Sequence, residues 1–193
     1  RDLESYMKQS SKNPALFYEK GVIQLAMKDT VAAENSFNEL LKQDSTNSLG
    51  WSARALLRMQ KEDIEGAYTD YSKAISLNSN YFGDYINRGI LNVRRKNFRE
   101  ALSDYDNAIK LESKSELAYY NRALLRASLG DNNNALNDFN KVIEISKKHL
   151  YLYPYDIDFI YFLVNSSTYL EKNPFDFLHE LNKNSLLHKI IFH

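Results

Sequence analysis

Cysteine is absent from the 193-residue chain, which excludes disulfides and thiolate metal sites and leaves the compartment open. Glycine (6) and proline (3) are scarce, a composition suited to long helices. Neither sign of charge is in excess, because 25 basic side chains balance 25 acidic ones. The surplus that neutralises phosphates in a nucleic-acid binder is therefore missing. No apolar run reaches the roughly 18 residues of a membrane span; the nearest, Phe159 to Val164, is short and follows Asp156 and Asp158. No glycine loop suits a phosphate, and no serine sits in a nucleophile elbow. The histidines come late, at His149, His179, His188 and His193. His179-Glu180 begins like a zinc-protease motif, but Lys183 stands where the second ligand belongs. No metal, cofactor or catalytic activity is expected.

What is present is repetition. Apolar residues make up 44% of the chain, enough for a core, and they fall in columns 34 residues apart. Gly21, Ala55, Gly89 and Ala123 form a small column, with Phe17, Trp51, Tyr85 and Tyr119 upstream of it. A second small column, Ala33, Ala67, Ala101 and Ala135, precedes a second aromatic one, Phe37, Tyr71, Tyr105 and Phe139. Leu41, Ile75, Ile109 and Ile143 complete the pattern. A fixed period of this length means stacked units sharing one core. In the third unit, Tyr85, Gly89 and Val93 share one helical face, which predicts a helix over 82–95. Ala101, Tyr105, Ala108 and Ile109 predict a second over 99–111. Small residues let the two backbones of each hairpin approach, and the aromatics fill the space between successive hairpins.

This pattern resembles the tetratricopeptide repeat (TPR) family over residues 14–149, most closely in the fourth unit with Tyr119, Ala123, Leu129-Gly130-Asp131, Ala135 and Phe139. Asn87-Arg88-Gly89 is matched by Asn121-Arg122-Ala123 one unit later. The resemblance implies an all-α, right-handed α-solenoid of stacked antiparallel helix pairs. Its repeats are expected at 14–47, 48–81, 82–115 and 116–149. Two departures stand out. The aromatic frequent three residues after the first small column is replaced by Gln24, Arg58, Asn92 and Arg126, which should loosen packing there. The proline near the end of the second helix is replaced by Ser45, Ser79, Ser113 and Lys147, which should leave that turn less fixed.

The resemblance also implies that first helices line a concave groove holding a peptide or another protein. The corresponding positions are Tyr18, Val22, Ser52, Leu56, Gln60, Asn87, Ile90, Arg94, Tyr120, Asn121, Leu124 and Ser128. Asn87 and Asn121 can bind an extended backbone, since an amide both donates and accepts; the alternative is a hydrogen bond to the neighbouring repeat. The Lys and Asn clamp that some relatives use on acidic chaperone tails is not reproduced, because Tyr18 and Val22 occupy two of its places and Gly83 a third. An apolar, tyrosine-rich groove is expected to take a segment with aromatic anchors.

A charge ladder runs through the repeats: Lys20, Arg54, Arg88 and Arg122 against Ser36, Asp70, Asp104 and Asp138. It reads as repeated Arg–Asp pairing between neighbouring helices, with a basic stripe for acidic peptides as the alternative. Leu3 falls on the second aromatic column with Tyr6 three residues on, so 1–13 reads as the tail of an earlier repeat or as a capping helix. The chain starts at Arg1, as expected of a fragment or a processed chain. After Lys148 the register fails, and the aromatic stretch 150–193 reads as two helices, 156–171 and 174–191, capping the array. Together these features predict a non-catalytic protein-interaction module. The alternatives are a homodimeric scaffold built on the aromatic C-terminal segment and a regulatory domain of a larger enzyme or secretion component.

Overall fold

The computed structural model describes residues 13–152, with side chains to Ser146. The expected N-terminal element at 1–12, the two C-terminal capping helices and three of the four histidines lie outside the described residues. Within them the chain is all-α, with the architecture of a helical repeat solenoid. It divides into two compact units, one ending at Leu111 and one beginning at Glu112. Unit 1 contains α1 (Pro14–Ala26), α2 (Thr30–Gln43), α3 (Ser48–Gln60), α4 (Ile64–Leu77), α5 (Phe82–Arg94) and α6 (Phe98–Leu111). Unit 2 contains α7 (Glu116–Ser128) and α8 (Asn132–Leu152), the latter running past the expected end of the fourth repeat. Odd-numbered helices are the first of each hairpin and even-numbered ones the second.

Each hairpin turns in three residues, and one of them always takes the left-handed region: Lys28 (φ 61°), Glu62 (60°), Lys96 (61°) and Gly130 (81°). The next N–H reaches back to a first-helix carbonyl, from Asp29 to Gln24 (2.9 Å), Asp63 to Arg58 (2.9 Å), Asn97 to Asn92 (2.8 Å) and Asp131 to Arg126 (2.9 Å). This is the Schellman ending of a helix. Asp29 and Asp63 then cap the following helix, accepting from the N–H groups of Ala32 and Gly66. One residue thus ends one helix with its backbone N–H and starts the next with its carboxylate, which fixes the hairpin angle.

The turns between repeats are held despite the missing proline. Asp44 accepts from the backbone N–H and the hydroxyl of Thr46, Asn78 from the N–H of Asn80, and, in unit 2, Glu112 from the N–H of Lys114. A side-chain acceptor bonding the backbone two residues on supplies the turn that proline supplies elsewhere.

The hairpin cores follow the columns. All four members of each small column and of the second aromatic column are buried. A Cβ on Gly21 would lie 2.5 Å from the Phe37 ring, and one on Gly89 2.6 Å from the Tyr105 ring. The second-helix aromatic therefore lies directly on the small residue of its own hairpin. Tyr71 also reaches forward, clustering with Ala55 and Ala67 of its hairpin and Leu91 of the next. In unit 2, Tyr120 and Phe139 meet edge to face at 6.0 Å in a core with Ala123, Ala135 and Val142.

Candidate interaction surface

Every hairpin also contains a buried polar centre. In α4, Asp70 accepts from Arg54 Nε and Nη2 (both 2.8 Å) and from Arg58 Nη1 (3.0 Å). In α6, Asp104 accepts from Arg88 Nε (3.1 Å) and Nη2 (2.6 Å) and from Asn92 Nδ2 (2.9 Å). In unit 2, Asp138 accepts from Arg122 Nε (2.9 Å) and Nη2 (2.6 Å) and from Arg126 Nη1 (2.7 Å). The charge ladder is thus a series of bidentate pairs, each closed within one hairpin. The arginines stack on the first aromatic column as well, Arg54 over Trp51 at 4.7 Å, Arg88 over Tyr85 at 5.8 Å and Arg122 over Tyr119 at 5.4 Å.

The first hairpin builds the same centre without charge. Ser36 replaces the acid, and the Gln24 amide meets its hydroxyl at 2.7 Å; with its nitrogen turned inward the amide also donates to the Ala32 carbonyl at 3.0 Å. The polar residues at 24, 58, 92 and 126 therefore do not loosen the packing. Each supplies the second donor to the buried second-helix oxygen. The sequence signal was available, since all four can donate and all stand three residues after a small column, but the aromatic of the family pattern masked it.

With the charge ladder turned inward, what remains outward on the first helices of unit 1 is largely apolar. Val22 is 43% exposed and Leu56 38%, with Ile90 half-buried in the same column. Tyr18 is half-buried and Gln60 exposed. Arg94 pairs with Glu62 of the preceding hairpin. Ser52 Oγ donates to Asp84 Oδ2 at 2.7 Å, tying α3 to α5. Burial pushes the Asp84 carboxyl up to about 6, against the opposing pull of the Ser52 hydrogen bond and the Arg88 charge. Asn87 Nδ2 donates to Tyr71 Oη at 2.9 Å, which is the bond to the neighbouring repeat. Burial and the Asp84 charge raise the Tyr71 phenol, and the Asn87 bond opposes them.

In unit 2 the expected surface residues divide. Leu124 is half-buried and Ser128 exposed, its hydroxyl donating to the Leu125 carbonyl at 2.7 Å. Tyr120 is in the core, and Asn121 is buried with its amide donating to the Leu117 carbonyl at 2.8 Å. Among the described residues no cluster of acids and histidines could hold a metal ion, and no helix is long and apolar enough to cross a membrane.

Hairpins of this length, turn and polar centre define a helical repeat array. Residues 117–149 match the tetratricopeptide repeat family model, and the fold of the chain is that of tetratricopeptide-repeat proteins. A crystal structure of MamA is similar with a TM-score of 0.69 at 18% identity, over 76% of this chain and 85% of that one. YrrB, described as a TPR protein with an unusual peptide-binding site, is similar with a TM-score of 0.68 at 16% identity, over 100% and 99%. The first TPR of Spaghetti (RPAP3), bound to the HSP90 peptide SRMEEVD, gives 0.58 at 21% identity, over 61% and 93%. No curated protein sequence matches the chain.

Proposed function

We propose that the chain is a non-catalytic interaction module and that the first helices of unit 1 hold a segment of another protein through apolar contacts. The observation that carries this is the column Val22, Leu56 and Ile90. It is an aliphatic residue repeated at each step, on helices whose arginines at 54 and 88 are consumed by buried acids. Two of the structural neighbours are described with bound or bindable peptides, which supports a peptide or protein ligand. The chemistry favours a ligand with aliphatic or aromatic anchors over an acidic tail, because Tyr18 and Val22 offer no cation. Asn87 serves as a positioning residue at this surface: its amide nitrogen is held by Tyr71, with the half-buried side chain at the surface edge.

The test is affinity capture with Val22→Glu/Leu56→Glu, both exposed positions, against Glu39→Lys on α2 as control. Loss of a partner by about tenfold or more in the first variant, at unchanged melting temperature and with binding kept by the control, is the expected result. Equal retention by both variants would reject this surface.

A further inference from the structure

Along the hairpin turns of unit 1, each hairpin offers carboxylates to the cations of the next. Glu34 of the first hairpin accepts from Lys61 of the second at 2.5 Å. Glu62 and Glu65 of the second accept from Arg94 (2.5 Å) and Arg95 (2.8 Å) of the third, and the Arg95 guanidinium also lies over the Tyr68 ring at 3.9 Å. Two acids three residues apart are thus met by two consecutive cations.

The third hairpin reverses the sign. Lys96 and Arg99 stand one period after Glu62 and Glu65. Both are exposed, and among the described residues neither takes part in an ion pair. Between them Phe98, in the column of the half-buried Ile64, is 36% exposed. In the fourth hairpin the columns of Arg94 and Arg95 hold Ser128 and Leu129, which carry no charge. Local folding does not account for the cations either. Glu65 in the first turn of α4 suits the positive end of a helix, whereas Arg99 at the same place in α6 does not. Glu100 follows Arg99, and the three side chains together keep a net positive charge.

We propose that Lys96, Phe98 and Arg99 form a docking edge for an acidic segment of a partner protein, one with two consecutive carboxylates beside an apolar residue. The acids of that segment take the part that Arg94 and Arg95 play toward Glu62 and Glu65, with the signs exchanged, and its apolar residue lies on Phe98. Two free cations on a charge-balanced chain suit a short acidic segment. A nucleic acid or an anionic membrane calls for a larger basic cluster. Neither cation belongs to the apolar column of Val22, Leu56 and Ile90, so this edge stands or falls apart from that surface.

The probe is a labelled peptide with a Leu-Glu-Glu-Leu core, titrated with the full chain and read by fluorescence anisotropy, with a Leu-Gln-Gln-Leu peptide as its neutral counterpart. Lys96→Glu/Arg99→Glu gives the third turn the acids of the second, and Lys96→Gln/Arg99→Gln removes the charge alone. Lys42→Glu/Lys73→Glu changes the net charge of the chain equally on the second helices. The acidic peptide should bind wild type saturably, bind the reversed edge about tenfold or more weakly and bind the second-helix variant as wild type. The neutral edge variant should fall between, and melting temperatures should not drop. Equal binding of the two peptides, no saturable binding of the acidic one, or equal weakening by edge and second-helix reversal would overturn the proposal. Binding to phosphatidylserine vesicles in place of the peptide, lost in the edge variant, would assign the cations to a membrane surface and overturn it as well.

Discussion

The first and third hairpins of unit 1 share a backbone plan and differ in what fills their polar centres. In the first, Gln24 and Ser36 meet as neutral groups, and Lys20 is exposed. In the third, a buried carboxylate takes three donor contacts from Arg88 and Asn92, and the guanidinium lies over Tyr85. The same hairpin geometry accommodates both, so the charge is not what makes the hairpin. What it adds is a shared acceptor: Asp104 takes donors from both Arg88 and Asn92, so its loss strands both, whereas Ser36 can lose its partner at modest cost.

The largest effect that could break this comparison is Asp104→Ala. It leaves a partly buried guanidinium and a buried amide without their acceptor and should cost about 3–5 kcal/mol in urea unfolding, against about 1 kcal/mol for Ser36→Ala. Equal costs would show that the ion pair contributes no more than its neutral counterpart.

Next comes pH. Asp84 stands in the column that holds Leu16 and Gly50 in the other hairpins of unit 1, and its carboxyl is raised to about 6. The folded state therefore holds this proton more tightly than the unfolded chain does. The penalty of the buried anion is present above pH 6 and is relieved as pH falls from 6 toward 4. Between pH 7.5 and 5, wild type should gain about 1.4 kcal/mol relative to Asp84→Asn. Parallel pH profiles of the two proteins would refute it.

The smallest effect sharpens the comparison at the turns. Lys96 holds a positive φ where Gly130 stands in the fourth hairpin. Lys96→Gly should raise stability by about 0.5–1 kcal/mol, because only glycine adopts that region without a Cβ clash. A loss of stability would mean that the lysine stem contributes packing that its exposure does not suggest.

The helices and their cores were legible in the sequence because a 34-residue period repeats the same steric problem, and the small and aromatic columns are its solution. The predicted helix over 82–95 ends at Arg94 in the structure, and that over 99–111 begins at Phe98. The polar centres were half legible. The Arg–Asp pairing follows from two matched columns, but the third donor at Gln24, Arg58, Asn92 and Arg126 stands where an aromatic was expected. The surface was less legible still. Tyr120 and Asn121 share their columns with the half-buried Ser52 and Asn87 (and with residues of α1), although Ile86 in the column of Tyr120 is buried too, so the column alone does not decide exposure. Asp84 was a missed signal, since an acid in a column otherwise of leucine, glycine and alanine announces a buried charge.

Each acid of the charge ladder finds its partners 12 and 16 residues away, always inside its own hairpin. No buried charge in these centres depends on a neighbouring repeat for its neutralisation. A duplication or deletion of 34 residues in register therefore adds or removes a complete buried polar centre, and the ion pairs it breaks between hairpins are exposed ones such as Arg94–Glu62. The hairpin is the increment by which such an array can lengthen, shorten or exchange members over its evolutionary history.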